Sequence, residues 1–161
     1  TQDIRMSIKI LIASLLGALS AQAAFANQMC PSRDVVQQYE LARDAKRQYT
    51  ILLGTFGKKP ISVARNGALV QFNGKTLAGD GFTRPHKGLV QLIRACVNGG
   101  VHCDPRYVPW GQILIFATAG NNRMVVHESL CSEHLIQNPS ASELGLLVKC
   151  HTSKECLRLG R

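Results

Sequence analysis

The hydrophobic pattern along the chain changes from a helical period to a strand period near residue 60. Over residues 33–50, apolar side chains recur at nearly helical spacing and most charged side chains fall between them, which predicts one amphipathic helix. Residues 61–65 and 68–72 then flank Asn66-Gly67, a dipeptide typical of tight hairpin turns. We therefore expect two antiparallel strands joined at this turn.

The rest of the pattern adds strands and one more helix. A short strand is expected at 75–77, a loop at 79–85, and either a helix or a strand at 88–97. Residues 112–119 are typical of a strand buried on both faces, and a turn at Gly120 leads into a partner strand over 123–130. Ser140 and Glu143 have the spacing of a capping box. The sequence thus predicts a small single α+β domain, in which an N-terminal amphipathic helix packs on an antiparallel β-sheet stapled by disulfides.

A run of small and aliphatic residues over 10–23 follows Lys9 and ends at Ala24-Phe25-Ala26. Small residues at both ends of that tripeptide fit the positions that a signal peptidase recognises. We expect residues 1–26 to be upstream residues plus a cleavable signal peptide, which runs from Met6 to Ala26, and residues 27–161 to form the single domain. A retained N-terminal anchor is the alternative. With cleavage, the protein is expected to be periplasmic or secreted, with no further transmembrane segment.

All six cysteines follow Ala26, and an even count in an exported small protein predicts disulfides. Local loops favour the pairs Cys96–Cys103 and Cys150–Cys156, which leaves Cys30 and Cys131 as a third pair, although the spacing alone does not fix the connectivity. The alternative is a zinc site, because several side chains are of types that bind zinc: Cys96, His102, Cys103, His127, Cys131 and His134. Their spacing matches no CxxC or HExxH motif, so we expect no metal and no cofactor.

The charge of the chain bears on its partners. Lys and Arg total 19 against 10 acidic residues, for a formal net charge of +9, while the 45% hydrophobic content excludes a disordered chain. Aromatic residues make up 6% and do not alternate with the basic residues, so a base-stacking nucleic-acid surface is not expected. The expected partner is an anionic envelope polymer or another protein.

Candidate chemistry is confined to one polar segment. The chain has no nucleophile elbow, phosphate-binding glycine loop or haem-attachment motif. Asp80, Arg84, His86 and Lys87 fall together on a glycine-flanked loop, where Arg84 could hold an anion and His86 could exchange a proton. Trp110, the only tryptophan, is expected to anchor a core or a hinge.

Two functions follow from these observations. The first is an exported, non-enzymatic binding module for an anionic envelope component or a protein partner. The alternative is a small secreted hydrolase, ribonuclease-like or cell-wall-acting, that uses the His/Asp/Arg/Lys loop.

Overall fold

The computed structural model describes residues 34–94, 104–128, 134–153 and 156. Two helices and seven strands follow one another along these residues. In chain order they are α1 (Val35–Asp44), β1 (Tyr49–Phe56), β2 (Ser62–Ala64), β3 (Gly67–Ala78), β4 (Gly81–Arg94), β5 (Ile113–Gly120), β6 (Arg123–Glu128), β7 (Leu135–Gln137) and α2 (Ala141–Ser153).

Five of the strands close into a barrel. β1 pairs with β3, β3 with β4, β4 with β6, β6 with β5, and β5 returns to β1. Each of these pairs is antiparallel except β4–β6, which is parallel. β2 continues the β1 edge of β3, and β7 pairs with the first residues of β5.

The predicted α+β fold, with an N-terminal helix packed on a sheet, is therefore wrong. Strands make up 50% of the described residues and helices 21%, and the architecture is a closed five-stranded barrel with a C-terminal helix. The helix predicted over 33–50 ends at Asp44, and Tyr49 begins β1 instead. Tyr49 matches the helical period of the preceding residues, but its strand is held by Thr118 and its neighbours in β5, which a local period does not report.

The described apolar side chains form two clusters, one on each side of the barrel wall. The inner cluster fills the barrel and includes Leu52, Phe72, Val90 and Ile115. The outer cluster joins α1 and α2 to the outside of β1 and β5. Its buried members are Val35, Val36, Tyr39, Ala42, Ile51, Leu77, Leu114, Phe116, Leu147 and Cys150. Residues 113–118 of β5 are buried on both faces, which confirms the prediction for that strand.

Three other local predictions are confirmed. β2 and β3 form the expected hairpin, but its turn is Arg65-Asn66 instead of Asn66-Gly67, because Ala64 pairs with Gly67, which begins β3 at φ +151°. β5 turns into β6 through Asn122, which takes a left-handed backbone at φ 56°. The capping box is present at the start of α2, because the Ser140 amide donates to Glu143 Oε2 (2.7 Å) and the Glu143 amide donates to Ser140 Oγ (3.2 Å).

Neither described helix has the length and apolar character needed to cross a membrane. The segment predicted as a signal peptide lies outside the described residues.

Candidate functional site

The polar segment singled out in the sequence belongs to the β3–β4 hairpin. The structure places only Gly79 and Asp80 in the turn, and the loop predicted over 79–85 is instead mostly strand, because β4 begins at Gly81. Pro85 lies within this strand. A proline is tolerated there because β3 is the only strand partner that the described chain gives to β4 before Val90, so one edge of β4 can lack a donor.

The structure divides the four candidate residues between three places. Asp80 lies in the turn, where the Thr83 hydroxyl donates to its Oδ1 at 2.6 Å. That hydrogen bond, with smaller contributions from its own backbone amide and from Arg84, lowers the pKa of the Asp80 carboxyl below its ordinary value. Arg84 and His86 lie on the side of β4 that faces inward further along the strand, where Arg84 is exposed and His86 is half-buried, whereas Lys87 lies on the outer side.

His86 lies on the inward side in an unusual setting. Its Nε2 is buried and finds no hydrogen-bond partner in the part of the chain that the structure describes. The imidazole is tilted against the Phe72 ring, with 6.1 Å between centroids, and a Cβ on Gly88 would lie 3.4 Å from Nε2. Gly74 lies opposite His86 and Gly54 lies opposite Gly74, so the two positions across the sheet carry no side chain.

General acid–base chemistry needs a proton donor or acceptor within hydrogen-bond reach of the imidazole. The carboxyl of Asp80 is bonded to Thr83, and the described residues show no hydrogen bond between Asp80 and His86. The hydrolase alternative therefore stays a prediction.

A second arrangement, on the outer side of the hairpin, escaped the sequence analysis. Asn73 lies opposite both Thr55 of β1 and Lys87 of β4, and Lys75 follows two residues later on the same side. All four side chains are exposed. We call Thr55, Asn73, Lys75 and Lys87 the basic face. The signal for the basic face is the strict alternation of side chains between the two sides of the strand along 67–78. That signal is masked because Asn73-Gly74 has the composition of a turn.

The part of the chain that carries the basic face is rich in positive charge and poor in negative charge. Between residues 45 and 94 the sequence has nine Lys and Arg residues and one carboxylate, Asp80. Of these cations only Arg94 is buried. Because the carboxylate is held in the hairpin turn by Thr83, the strand segment that carries Lys75 and Lys87 has a net positive surface.

Arg94 belongs to a buried cluster that the sequence analysis also missed. Its Nε donates to Glu128 Oε2 (3.0 Å), Nη1 to the Asp104 carbonyl (2.8 Å) and Nη2 to the Tyr107 carbonyl (2.7 Å). The guanidinium carbon also lies 5.7 Å from the centre of the Tyr107 ring. This arginine ties the segment before β5 to the ends of β4 and β6, which is a structural role.

Two further expectations concern sulfur and tryptophan. Cys150 and Cys156 form the predicted disulfide, while Cys30, Cys96, Cys103 and Cys131 lie outside the described residues. Trp110 does not anchor a core or a hinge as predicted, since 71% of it is exposed. Among the residues that the structure describes, no cluster of three or more His, Cys, Asp or Glu side chains could hold a metal ion.

Comparison of the chain with protein-family models, with curated proteins and with solved structures gives no match.

Proposed function

We propose that this chain is an exported, non-enzymatic binding module that holds an anionic envelope polymer on its basic face. The observation that carries the proposal is the pairing of β3 with β4, which brings Lys75 and Lys87 onto one exposed surface that contains no carboxylate. Side chains related by such a diagonal across two strands lie within about 8 Å of each other. Two ammonium groups at that spacing suit successive anionic groups of an extended polymer.

The neighbouring polar side chains fit this role. Thr55 and Asn73 are exposed beside the two lysines and offer neutral hydrogen-bond donors and acceptors to a polymer backbone. β3 and β4 are the second and third strands of the barrel along the chain. By analogy of architecture alone, five-stranded OB-type barrels bind oligosaccharides and oligonucleotides on the face of their second and third strands.

Export is supported by chemistry at both ends of the chain. The apolar run that ends at Ala26 has the pattern of a signal peptide, and the Cys150–Cys156 disulfide is typical of an oxidising compartment. An intact mass of the exported protein, alkylated without reduction under denaturing conditions, tests this directly. A mass that begins at Asn27 with no alkylated cysteine is expected, whereas a retained N-terminal segment or several alkylated cysteines contradicts it.

Binding is tested by titrating the protein with a sulfated polysaccharide of defined length and by measuring affinity calorimetrically at several salt concentrations. The double charge reversal Lys75→Glu/Lys87→Glu is expected to abolish measurable binding. The matched control is Arg47→Glu/Lys149→Glu, which changes the net charge equally at exposed positions that are not part of the basic face.

The affinity of the wild-type protein should fall steeply with salt, because exposed charges are screened beyond about 10 Å at 0.1 M ionic strength. If both double variants lose affinity equally, the binding reflects net charge and the basic face is not the site. Binding that ignores salt would make a protein partner the better hypothesis.

A further inference from the structure

One end of the barrel carries most of the large hydrophobic side chains that the described structure leaves exposed. Ile61 and Val63, on either side of Ser62 in the β2 segment, are 58% and 46% exposed, and Trp110 is 71% exposed. The fourth exposed large hydrophobic residue among those described is Leu41 on α1, at 49%.

The strand register places the first three at the same end. β1 ends at Phe56, and its antiparallel partner β5 begins at Ile113, opposite Gly54. Trp110 comes three residues before Ile113, so it lies where β1 ends. β2 follows β1 in the chain and pairs with the first residues of β3, which begins at this end because it runs antiparallel to β1.

The aliphatic pair on β2 has one orientation. The Ile61 amide donates to the Leu69 carbonyl at 2.7 Å, so Ile61 continues the ladder in which Val63 pairs with Ala68. Residues two apart on a strand point to the same side, so Ile61 and Val63 present one apolar surface.

Cations flank this apolar surface. Lys58, Lys59 and Arg65 are all exposed and bracket the aliphatic pair along the chain. Of the carboxylates described at this end, Glu128 is engaged in the buried ion pair and Asp104 is exposed. The end of the barrel is therefore both apolar and, over its described residues, positively charged.

We infer that this end of the barrel docks on an anionic lipid bilayer. We call it the barrel end, and its residues are Lys58, Lys59, Ile61, Val63, Arg65 and Trp110. Aliphatic side chains gain by entering the boundary between headgroups and acyl chains, and tryptophan is enriched at that depth. Each lysine or arginine near an anionic membrane surface adds to the attraction.

The barrel end goes beyond the proposed polymer site because it is a different surface. Val63 pairs with Ala68 and so lies on the side of the inner cluster, whereas Lys75 lies opposite Leu53 on the side of the outer cluster. The basic face also offers no exposed aliphatic side chain, since its members are a threonine, an asparagine and two lysines. A polymer could therefore be held on the basic face while the barrel end contacts lipid.

Trp110 provides a local probe, because the chain has no other tryptophan. The protein is produced from the full chain, its N-terminus is established by intact mass, and it is titrated with vesicles of phosphatidylcholine with and without phosphatidylglycerol. Emission is expected to shift to shorter wavelength only with the anionic vesicles, and lipids brominated on the acyl chain should quench it.

Two variants test the two components of the surface. Ile61→Ser/Val63→Ser is expected to weaken vesicle binding by about tenfold or more, because it removes the aliphatic area that would leave water. Lys58→Gln/Lys59→Gln is expected to weaken it by about thirtyfold on anionic vesicles. Leu41→Ser is the matched control, since it makes the same kind of change at a similarly exposed position on α1 and should leave binding unchanged.

The inference is overturned if brominated lipids leave Trp110 emission unchanged, or if Ile61→Ser/Val63→Ser binds vesicles as tightly as Leu41→Ser while both variants keep the wild-type unfolding midpoint. Vesicle binding that is lost only in Lys75→Glu/Lys87→Glu would also overturn it, and would assign the lipid headgroups to the basic face. Failure of polysaccharide binding with the Trp110 response intact would instead remove the proposed polymer site and leave the barrel end.

Discussion

Each end of β4 carries an inward-facing polar side chain, and the two side chains differ in whether their hydrogen bonds are made. Near the C-terminal end, Arg94 is 6% exposed and its three guanidinium nitrogens donate to one carboxylate and two carbonyls. Near the N-terminal end, His86 buries Nε2 without a hydrogen-bond partner among the described residues. Both side chains follow the same alternation along the strand, so the difference lies in what the rest of the fold supplies around them.

The contrast is between a side chain whose hydrogen bonds hold neighbouring segments together and one whose buried nitrogen makes no hydrogen bond among the described residues. The buried guanidinium of Arg94 is tolerated because each of its nitrogens makes a hydrogen bond, and two of these bonds hold the segment that contains Asp104 and Tyr107. The imidazole at the other end lies between the Phe72 ring and Gly88, and its buried Nε2 makes no hydrogen bond among the described residues. The stability of the barrel should therefore respond strongly to Arg94 and weakly to His86.

The largest effect is expected from Arg94→Met, which leaves the half-buried carboxylate of Glu128 without its cation. Breaking one partner of a buried ion pair costs about 3–5 kcal/mol, because the remaining charge is uncompensated. Urea unfolding followed by circular dichroism measures this loss in the free energy of unfolding.

The double variant Arg94→Met/Glu128→Met is the control, because it removes both charges at once. It should lose less stability than Arg94→Met alone, as replacement of a buried pair by apolar side chains is often close to neutral. A single variant within about 1 kcal/mol of the wild type would show that the cluster around Arg94 does not hold the barrel together.

An intermediate effect is expected at the glycines beside His86, where the backbones of β1 and β3 pack in direct contact. A Cβ on Gly74 would meet the Leu53 carbonyl oxygen, lie 2.7 Å from the Gly54 Cα and lie 2.8 Å from the Phe72 ring. Gly74→Ala should therefore destabilise the protein by about 1–3 kcal/mol, the usual cost of overpacking. Thermal and urea unfolding measure it.

Gly145→Ala serves as the control for that substitution. Gly145 lies within α2 and a Cβ there meets nothing within 4 Å, so alanine should stabilise the protein by roughly 1 kcal/mol. Equal effects of the two substitutions would mean that β1 and β3 can separate at Gly54 and Gly74 without cost.

The features that the sequence predicted correctly are those set by residues a few positions apart. The hairpin before Gly67, the doubly buried strand β5 and the capping box of Ser140 and Glu143 each depend on local chemistry. Barrel closure depends on β1 meeting β5 and β4 meeting β6 in parallel, and neither pairing leaves a local mark. The helix prediction failed at Tyr49 for the same reason.

The candidate site was only partly predictable. The polar residues of the hairpin were identified, but the structure sends His86 and Lys87 to opposite sides of β4. The basic face was missed because Asn73-Gly74 has the composition of a turn. In the structure Gly74 instead allows β1 and β3 to approach closely, so the strand continues through it to Lys75.

The smallest effect, and the most direct test of the contrast along β4, is expected from His86→Leu. Because the substitution removes a buried polar atom that has no partner among the described residues, the free energy of unfolding should equal that of the wild type or exceed it by less than about 1 kcal/mol. His151→Leu is the matched comparison, because Nδ1 of that histidine lies 2.9 Å from the Tyr39 hydroxyl and its loss should cost about 1 kcal/mol.

Since His86 points away from the basic face, polysaccharide binding should be unchanged. A folded His86→Leu protein that loses a measurable hydrolysis of an anionic polymer would favour the enzyme alternative, because an idle imidazole cannot be required for turnover.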